Sequence, residues 1–139
     1  MKFITYSSKQ LIENLKQYDL HQKKSTKEVP FINIKDELIK HYIRGIIDGD
    51  GYISKKELRI GACGSIDVMT FIKEYLVNKL DLDENKDLKL YLDKKYKNLY
   101  RIYSNRNTTL KIIEFLYKDA NIYLNRKYKL AMEKLNGHV

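Results

Sequence analysis

An α+β domain is the fold this sequence predicts, with a leading helix, four antiparallel strands in two ββα units and a closing helix. Three observations predict it. Between Gly51 and Ser104 four short runs alternate apolar and polar residues with the period of two expected of half-buried strands. Around them, apolar residues recur three and four apart, the spacing of one helix face. The single proline, Pro30, falls ahead of this region, where it marks a break rather than an element interior.

In chain order, Phe3 to Tyr6 is a β-prone run, and Ser7-Ser8 offers an N-cap for a helix near 8–19 carrying Leu11, Ile12, Leu15 and Tyr18. His21 to Glu28 is polar and basic and reads as a loop. A central helix covers roughly 35–49. Strands follow at 51–54 and 57–63, with Lys55-Lys56 at the turn; Leu58, Ile60 and Ala62 face the core, and Arg59, Gly61 and Cys63 face away. Ser65 or Asp67 caps a helix striped with Met69, Ile72, Leu76 and Leu80. Leu88, Leu90 and Leu92 alternate with Lys89, Tyr91 and Asp93 in a third strand. After the basic tip 94–98, a fourth strand near 99–104 turns Tyr100 and Ile102 inward, Arg101 and Tyr103 outward. Helices near 107–117 and 123–135 complete the chain.

The order from Lys35 is therefore αββαββα plus a closing helix. Residues 35–139 form one domain, and residues 1–34 an N-terminal strand-helix extension. Phe3 to Glu13 resembles Tyr100 to Glu114 in running strand, serine, helix, so the extension reads either as the tail of a preceding repeat or as the likeness that any strand-helix pair shows.

Composition narrows the function. The 139 residues carry a net charge of +9 and 43% hydrophobic residues, which suits a globular domain with a polyanionic partner such as nucleic acid. One cysteine, Cys63, cannot form an internal disulfide, and three scattered histidines offer no zinc spacing. No apolar run is long enough to span a membrane, and the N-terminus is too short and polar for a signal peptide. A cytoplasmic protein is expected, or one of a nucleoid or organelle, with no targeting signal in view.

The most informative stretch is 41–54, His-Tyr-Ile-Arg-Gly-Ile-Ile-Asp-Gly-Asp-Gly-Tyr-Ile-Ser. Gly45 and Gly49 sit four apart on one helix face and let a second helix approach, at about 1 kcal/mol per glycine against alanine. Gly51 is placed to cap the helix in the left-handed region. Asp48 and Asp50 fall in the last turn, where the helix dipole disfavours carboxylates. A divalent cation would reverse that penalty. A calcium loop is excluded, because Tyr52 and Ile53 stand where it needs an acidic residue and a glycine.

Residues 43–51, Ile-Arg-Gly-Ile-Ile-Asp-Gly-Asp-Gly, resemble the signature of LAGLIDADG homing endonucleases, with Arg44 and Gly49 as the departures in side chain. The resemblance implies the αββαββα LAGLIDADG fold with additional terminal helices. It also implies a hydrolase that cleaves double-stranded DNA at specific sites with Mg2+ or another divalent metal, in the service of intron or intein mobility. By the same resemblance Asp50 ligates the metal, assisted by the carbonyl of Gly51, and Asp48 bonds within the helix end or to a partner helix. With one signature in the chain, two copies of Asp50 require a homodimer through the 35–49 helix, crossing at Gly45, Ile46, Asp48 and Gly49. Arg44 must point away from that partner or find a carboxylate such as Asp48.

The family also uses polar residues from the sheet near the scissile phosphate. On parity Arg59 and Arg101 are the candidates, and a solvated strand charge is the alternative for each. DNA contact is expected from Lys55, Lys56, Arg59, Lys89, Tyr91, Lys94, Lys95, Lys97, Arg101 and Tyr103, since an antiparallel ribbon fits the major groove. Lys23, Lys24, Arg126 and Lys127 are secondary phosphate contacts. Two rivals share the scaffold: a non-cleaving DNA-binding protein, and a maturase-like RNA splicing cofactor.

Overall fold

The computed structural model describes residues 8–16 and 34–137. The run at 3–6, the loop at 21–28 with Lys23 and Lys24, and Pro30 lie outside the described residues. The fold is α+β, with five helices and a four-stranded antiparallel sheet among the described residues. Helix α1 covers Lys9–Lys16, and Ser8 Oγ caps it by accepting from the Leu11 N–H at 3.2 Å. Helix α2, Asp36–Asp50, opens with Asp36 and Glu37 at its positive end.

Two ββα units follow. The first is β1 (Tyr52–Ile53), β2 (Ile60–Gly64) and α3 (Ile66–Leu80); the second is β3 (Leu88–Leu92), β4 (Tyr100–Ser104) and α4 (Arg106–Tyr117). Each helix starts from a side-chain cap directly after its strand: Ser65 accepts from Val68 N–H, and Asn105 from Thr108 N–H at 2.9 Å. Asn105 also donates to Asp87 at 2.7 Å, tying the start of α4 to the start of β3. The two second strands pair at the centre, giving the order β1-β2-β4-β3. Helix α5, Asn125–Asn136, closes the chain against α4 and β1.

One face of the sheet is the core. Ile53, Ile60, Ala62, Leu88 and Ile102 meet Met69, Ile72 and Leu76 of α3, Ile112, Ile113 and Leu116 of α4, and Ile43 and Ile47 of α2. This is the strand parity expected above. The first hairpin differs in extent, because its two strands are shorter than 51–54 and 57–63. Ser54 N–H donates to Arg59 O at 3.0 Å, and Ser54 Oγ accepts from Glu57 N–H, so residues 54–59 form a closed loop rather than a two-residue turn.

Gly51 is not left-handed; its φ of −94° and ψ of −173° are extended. Glycine is needed there for another reason. A Cβ would stand 2.6 Å from the Gly61 carbonyl and 2.7 Å from the Ile47 Cα, so helix end and strand β2 are in direct backbone contact. No helix among the described residues is long and apolar enough to cross a membrane.

Candidate metal and nucleic-acid site

The end of α2 is where the candidate groups converge. Asp50 is the last helical residue, exposed, and makes no ion pair with another described residue. The Cys63 thiol, on the outer face of β2, donates to the Asp50 carbonyl oxygen at 3.5 Å. In register, Cys63 stands opposite Arg101 of β4, and Arg101 opposite Tyr91 of β3. Partial burial pushes the Cys63 thiol up, countered by Arg101 and reinforced by Asp50 and Asp93. Asp50, Cys63 and Arg101 thus line one end of the outer sheet face.

Arg101 is committed within that group. Its guanidinium pairs with Asp93, and this contact, with the backbone N–H groups of Lys95 and Tyr96, holds the Asp93 carboxyl down at about 2. Arg59 lies elsewhere. Its side chain reaches Tyr103, which is two residues along the strand from Arg101, or about 6–7 Å. There its guanidinium carbon lies 5.0 Å from the Tyr103 ring centre and it pairs with Glu57 at 3.2 Å. The outer face between them is aromatic, with Tyr91 edge-on to Tyr103 and Tyr52 beside Gly61. Lys89 stands opposite Tyr103. Lys55 and Lys56 in the first hairpin, and Lys94, Lys95 and Lys97 in the second, are all exposed.

The two aspartates of the signature part company. Asp48 is half-buried and bonds inside its own chain, accepting from the Tyr117 hydroxyl at 2.7 Å and the Leu124 N–H at 2.9 Å. Both of its carboxylate oxygens are thus engaged within its own chain. Burial, the Asp48 bond and its charge push the Tyr117 phenol far above its usual value. Arg44 points away from the open helix face, as one of its two expected alternatives required. Its partners are carbonyls rather than a carboxylate: Leu116 O and Ile122 O, both at 2.9 Å.

Arg44 also donates to His41 Nδ1 at 2.7 Å, which requires that nitrogen to be unprotonated. Desolvation, then the charges of Arg44 and Lys40, hold His41 below its ordinary value of 6.5, with Asp119 opposing. The unfolded chain then takes up this proton first as the pH falls. The stabilisation is full above about 6.5 and is lost as pH drops towards the lower folded value. Melting temperature is expected to fall between pH 7.5 and 5.5, and less steeply in His41→Asn, whose amide oxygen can accept from Arg44. An identical pH slope in both proteins would remove His41 from this titration.

Lys127 is the residue sequence reasoning misjudged. It is 2% exposed and cannot serve as a phosphate contact. Its amine donates to the carbonyls of Ile47, Asp48 at 2.8 Å and Gly51 at 2.6 Å. Three acceptors need three hydrogens, so the geometry is that of the ammonium. Burial and neighbouring Arg126 hold this amine below its usual value, while Asp48 and Asp50 pull the other way. A cation thus already sits at the negative end of α2, and the Gly51 oxygen expected on a metal accepts from Lys127. One signal pointed to this: Lys127 is three residues after Leu124 and four before Ala131, on the apolar stripe of α5.

On the far side of α2 from Arg44, Gly45 and Gly49 are open among the described residues, none of which comes within 4 Å of a Cβ built on either. Leu38, 48% exposed, and the half-buried Tyr42 and Ile46 flank them. Among the described residues no three His, Cys, Asp or Glu groups come together as a metal set. Comparison of the chain with protein-family models, curated sequences and solved structures gives no match.

Proposed function

We propose that this chain is a divalent-metal-dependent, site-specific DNA endonuclease of the LAGLIDADG homing type, acting as a homodimer. The observation that carries the reading is the end of α2. There an exposed Asp50 carboxylate, without an ion pair among the described residues, adjoins both a glycine-lined helix face left open by the described residues and an outer sheet face of tyrosines, arginines and lysines.

One chain contributes one such carboxylate, and two copies meeting along the open face of α2 contribute two. That number suits Mg2+, which is commonly held by one or two carboxylates together with waters and substrate phosphates. Bound between the two Asp50 groups, the ion would supply an activated water and charge stabilisation at the leaving oxygen. The chain's own residues do the rest. Lys127 and Asp48 fix the helix end that carries Asp50, Gly45 and Gly49 admit the partner helix, and Arg59, Lys89, Tyr91 and Tyr103 meet the duplex. Arg101, neutralised by Asp93, fits a positioning role better than direct charge stabilisation.

A second reading, a non-cleaving DNA-binding protein, is favoured by Lys127, whose ammonium already satisfies the carbonyls that a metal would use. Incubating the protein with a randomised duplex library, with and without Mg2+, separates the two. Mg2+-dependent ends at one pseudo-palindromic sequence are expected. Retention of DNA with no nick would assign the second reading, and preference for structured intron RNA over duplex would sink both.

The dimer has its own test. Since none of the described residues lies against Gly45, Gly45→Leu should leave their packing undisturbed and block the approach of another helix. Sedimentation should show the mass halved, with cleavage lost. Unchanged mass and activity would put the interface elsewhere.

A further inference from the structure

Beyond the sheet face, the loop of the first hairpin, the start of α4 and the last turns of α5 enclose a cleft of about 430 Å3. Its walls are Lys56, Glu57, Leu58, Arg59, Arg106 and Lys134. We propose that this cleft binds a phosphate-bearing group, either a backbone phosphate of bound nucleic acid or a free polyphosphate.

Among the described lining residues four are cations, Lys134 with partners of its own, and the one acid, Glu57, is paired with Arg59 at 3.2 Å. The cations come from three separate stretches of chain, so local sequence bias does not explain their convergence. The fold brings them together at an electrostatic cost that a bound anion removes. Lys134 donates to the Lys55 carbonyl at 2.9 Å, which fixes α5 against the hairpin and holds the walls in place. Arg106 is the first residue of the twelve-residue helix α4, so the positive end of that dipole opens on the same space. Among the described lining residues Leu58 is the only apolar one. The size falls within the roughly 300–1,000 Å3 of small-ligand clefts, large enough for more than one phosphate.

Arg59 joins this cleft to the sheet. The same side chain that lines it lies over Tyr103 on the outer face, so the two surfaces are continuous. A duplex lying on the sheet would carry a flanking phosphate towards Arg106. The backbone source rests on the DNA reading above; the polyphosphate source does not.

The experiment compares wild type with Lys56→Ala/Arg106→Ala, both exposed positions, and with the charge-matched control Lys111→Ala/Lys129→Ala on exposed faces outside the cleft. Duplex affinity is measured from 50 to 300 mM salt, and melting temperature with and without tripolyphosphate. The expected result is a salt slope shallower by about two in the cleft variant and unchanged in the control, since each lost phosphate contact removes about one. An unchanged slope, with tripolyphosphate stabilising wild type and control but not the cleft variant, would assign the free polyphosphate. If all three proteins behave alike in both measurements, the proposal is overturned. If wild type binds no duplex, the nuclease reading fails and tripolyphosphate alone decides the cleft.

Discussion

Asp50→Asn is expected to lose cleavage by at least about 10²–10³-fold while duplex affinity stays within a few-fold of wild type. The loss is set at the size of removing one preorganised charge-stabilising group. A homodimer loses two, one from each copy, so this is a lower bound. The asparagine is isosteric and keeps an oxygen, but it carries no charge to attract a divalent ion. Folding should be little changed, because Asp50 is exposed and makes no hydrogen bond or ion pair through its carboxylate among the described residues, although its charge helps hold the Lys127 ammonium. Affinity is protected for a related reason: the Lys, Arg and Tyr residues of the sheet and hairpins are unchanged. The measurement pairs single-turnover cleavage with a binding titration in Ca2+. Cleavage at the wild-type rate would end the metal role of Asp50, and equal loss of binding and cleavage would make Asp50 a DNA contact.

The second large effect is on stability. Lys127→Met keeps much of the volume and the apolar stem but removes the ammonium from the carbonyls of Ile47, Asp48 and Gly51. Each buried acceptor left without a donor costs about 1–3 kcal/mol. The Ile47 oxygen keeps its bond from the Gly51 N–H at 3.1 Å, so the full sum is not reached. A net loss of about 2–4 kcal/mol is expected, a large share of the stability of a domain this size. Denaturant unfolding should show a lower midpoint with an unchanged slope. Because the same carbonyls hold the end of α2, cleavage measured well below the melting temperature should also fall. A variant as stable as wild type would mean that water replaces the ammonium at no cost.

Much of this architecture was legible because it rests on local pattern. Leu88, Leu90 and Leu92 declare a strand by alternation, and Met69, Ile72 and Leu76 a helix by spacing; both lie where their periods put them. Tyr91, Arg101 and Tyr103 face outward for the same reason. The first hairpin was less legible, since its ends are decided by Ser54 bonding to Glu57 and Arg59 rather than by hydrophobicity. Gly51 illustrates a further limit. A glycine after a helix suggests a left-handed cap, but here the demand is crowding from Gly61, 10 residues along the chain. Arg44, Asp48 and Lys127 depend on partners 69 to 80 residues distant in sequence, and no local pattern carries that information. Only the apolar setting of Lys127 hinted that a lysine was going inside.

The latch formed by Lys127 also has a place in time. Its acceptors lie in the first half of the chain and its amine 76 to 80 residues later. A ribosome adding about 5–20 residues per second needs roughly 4–16 s to make the difference. During that interval α2 and the first ββα unit can exist while the segment bearing Asp50 still frays. Helix α5, made after the other four described helices, is the one that sets it, so a nascent chain carries its acid long before it can hold that acid still.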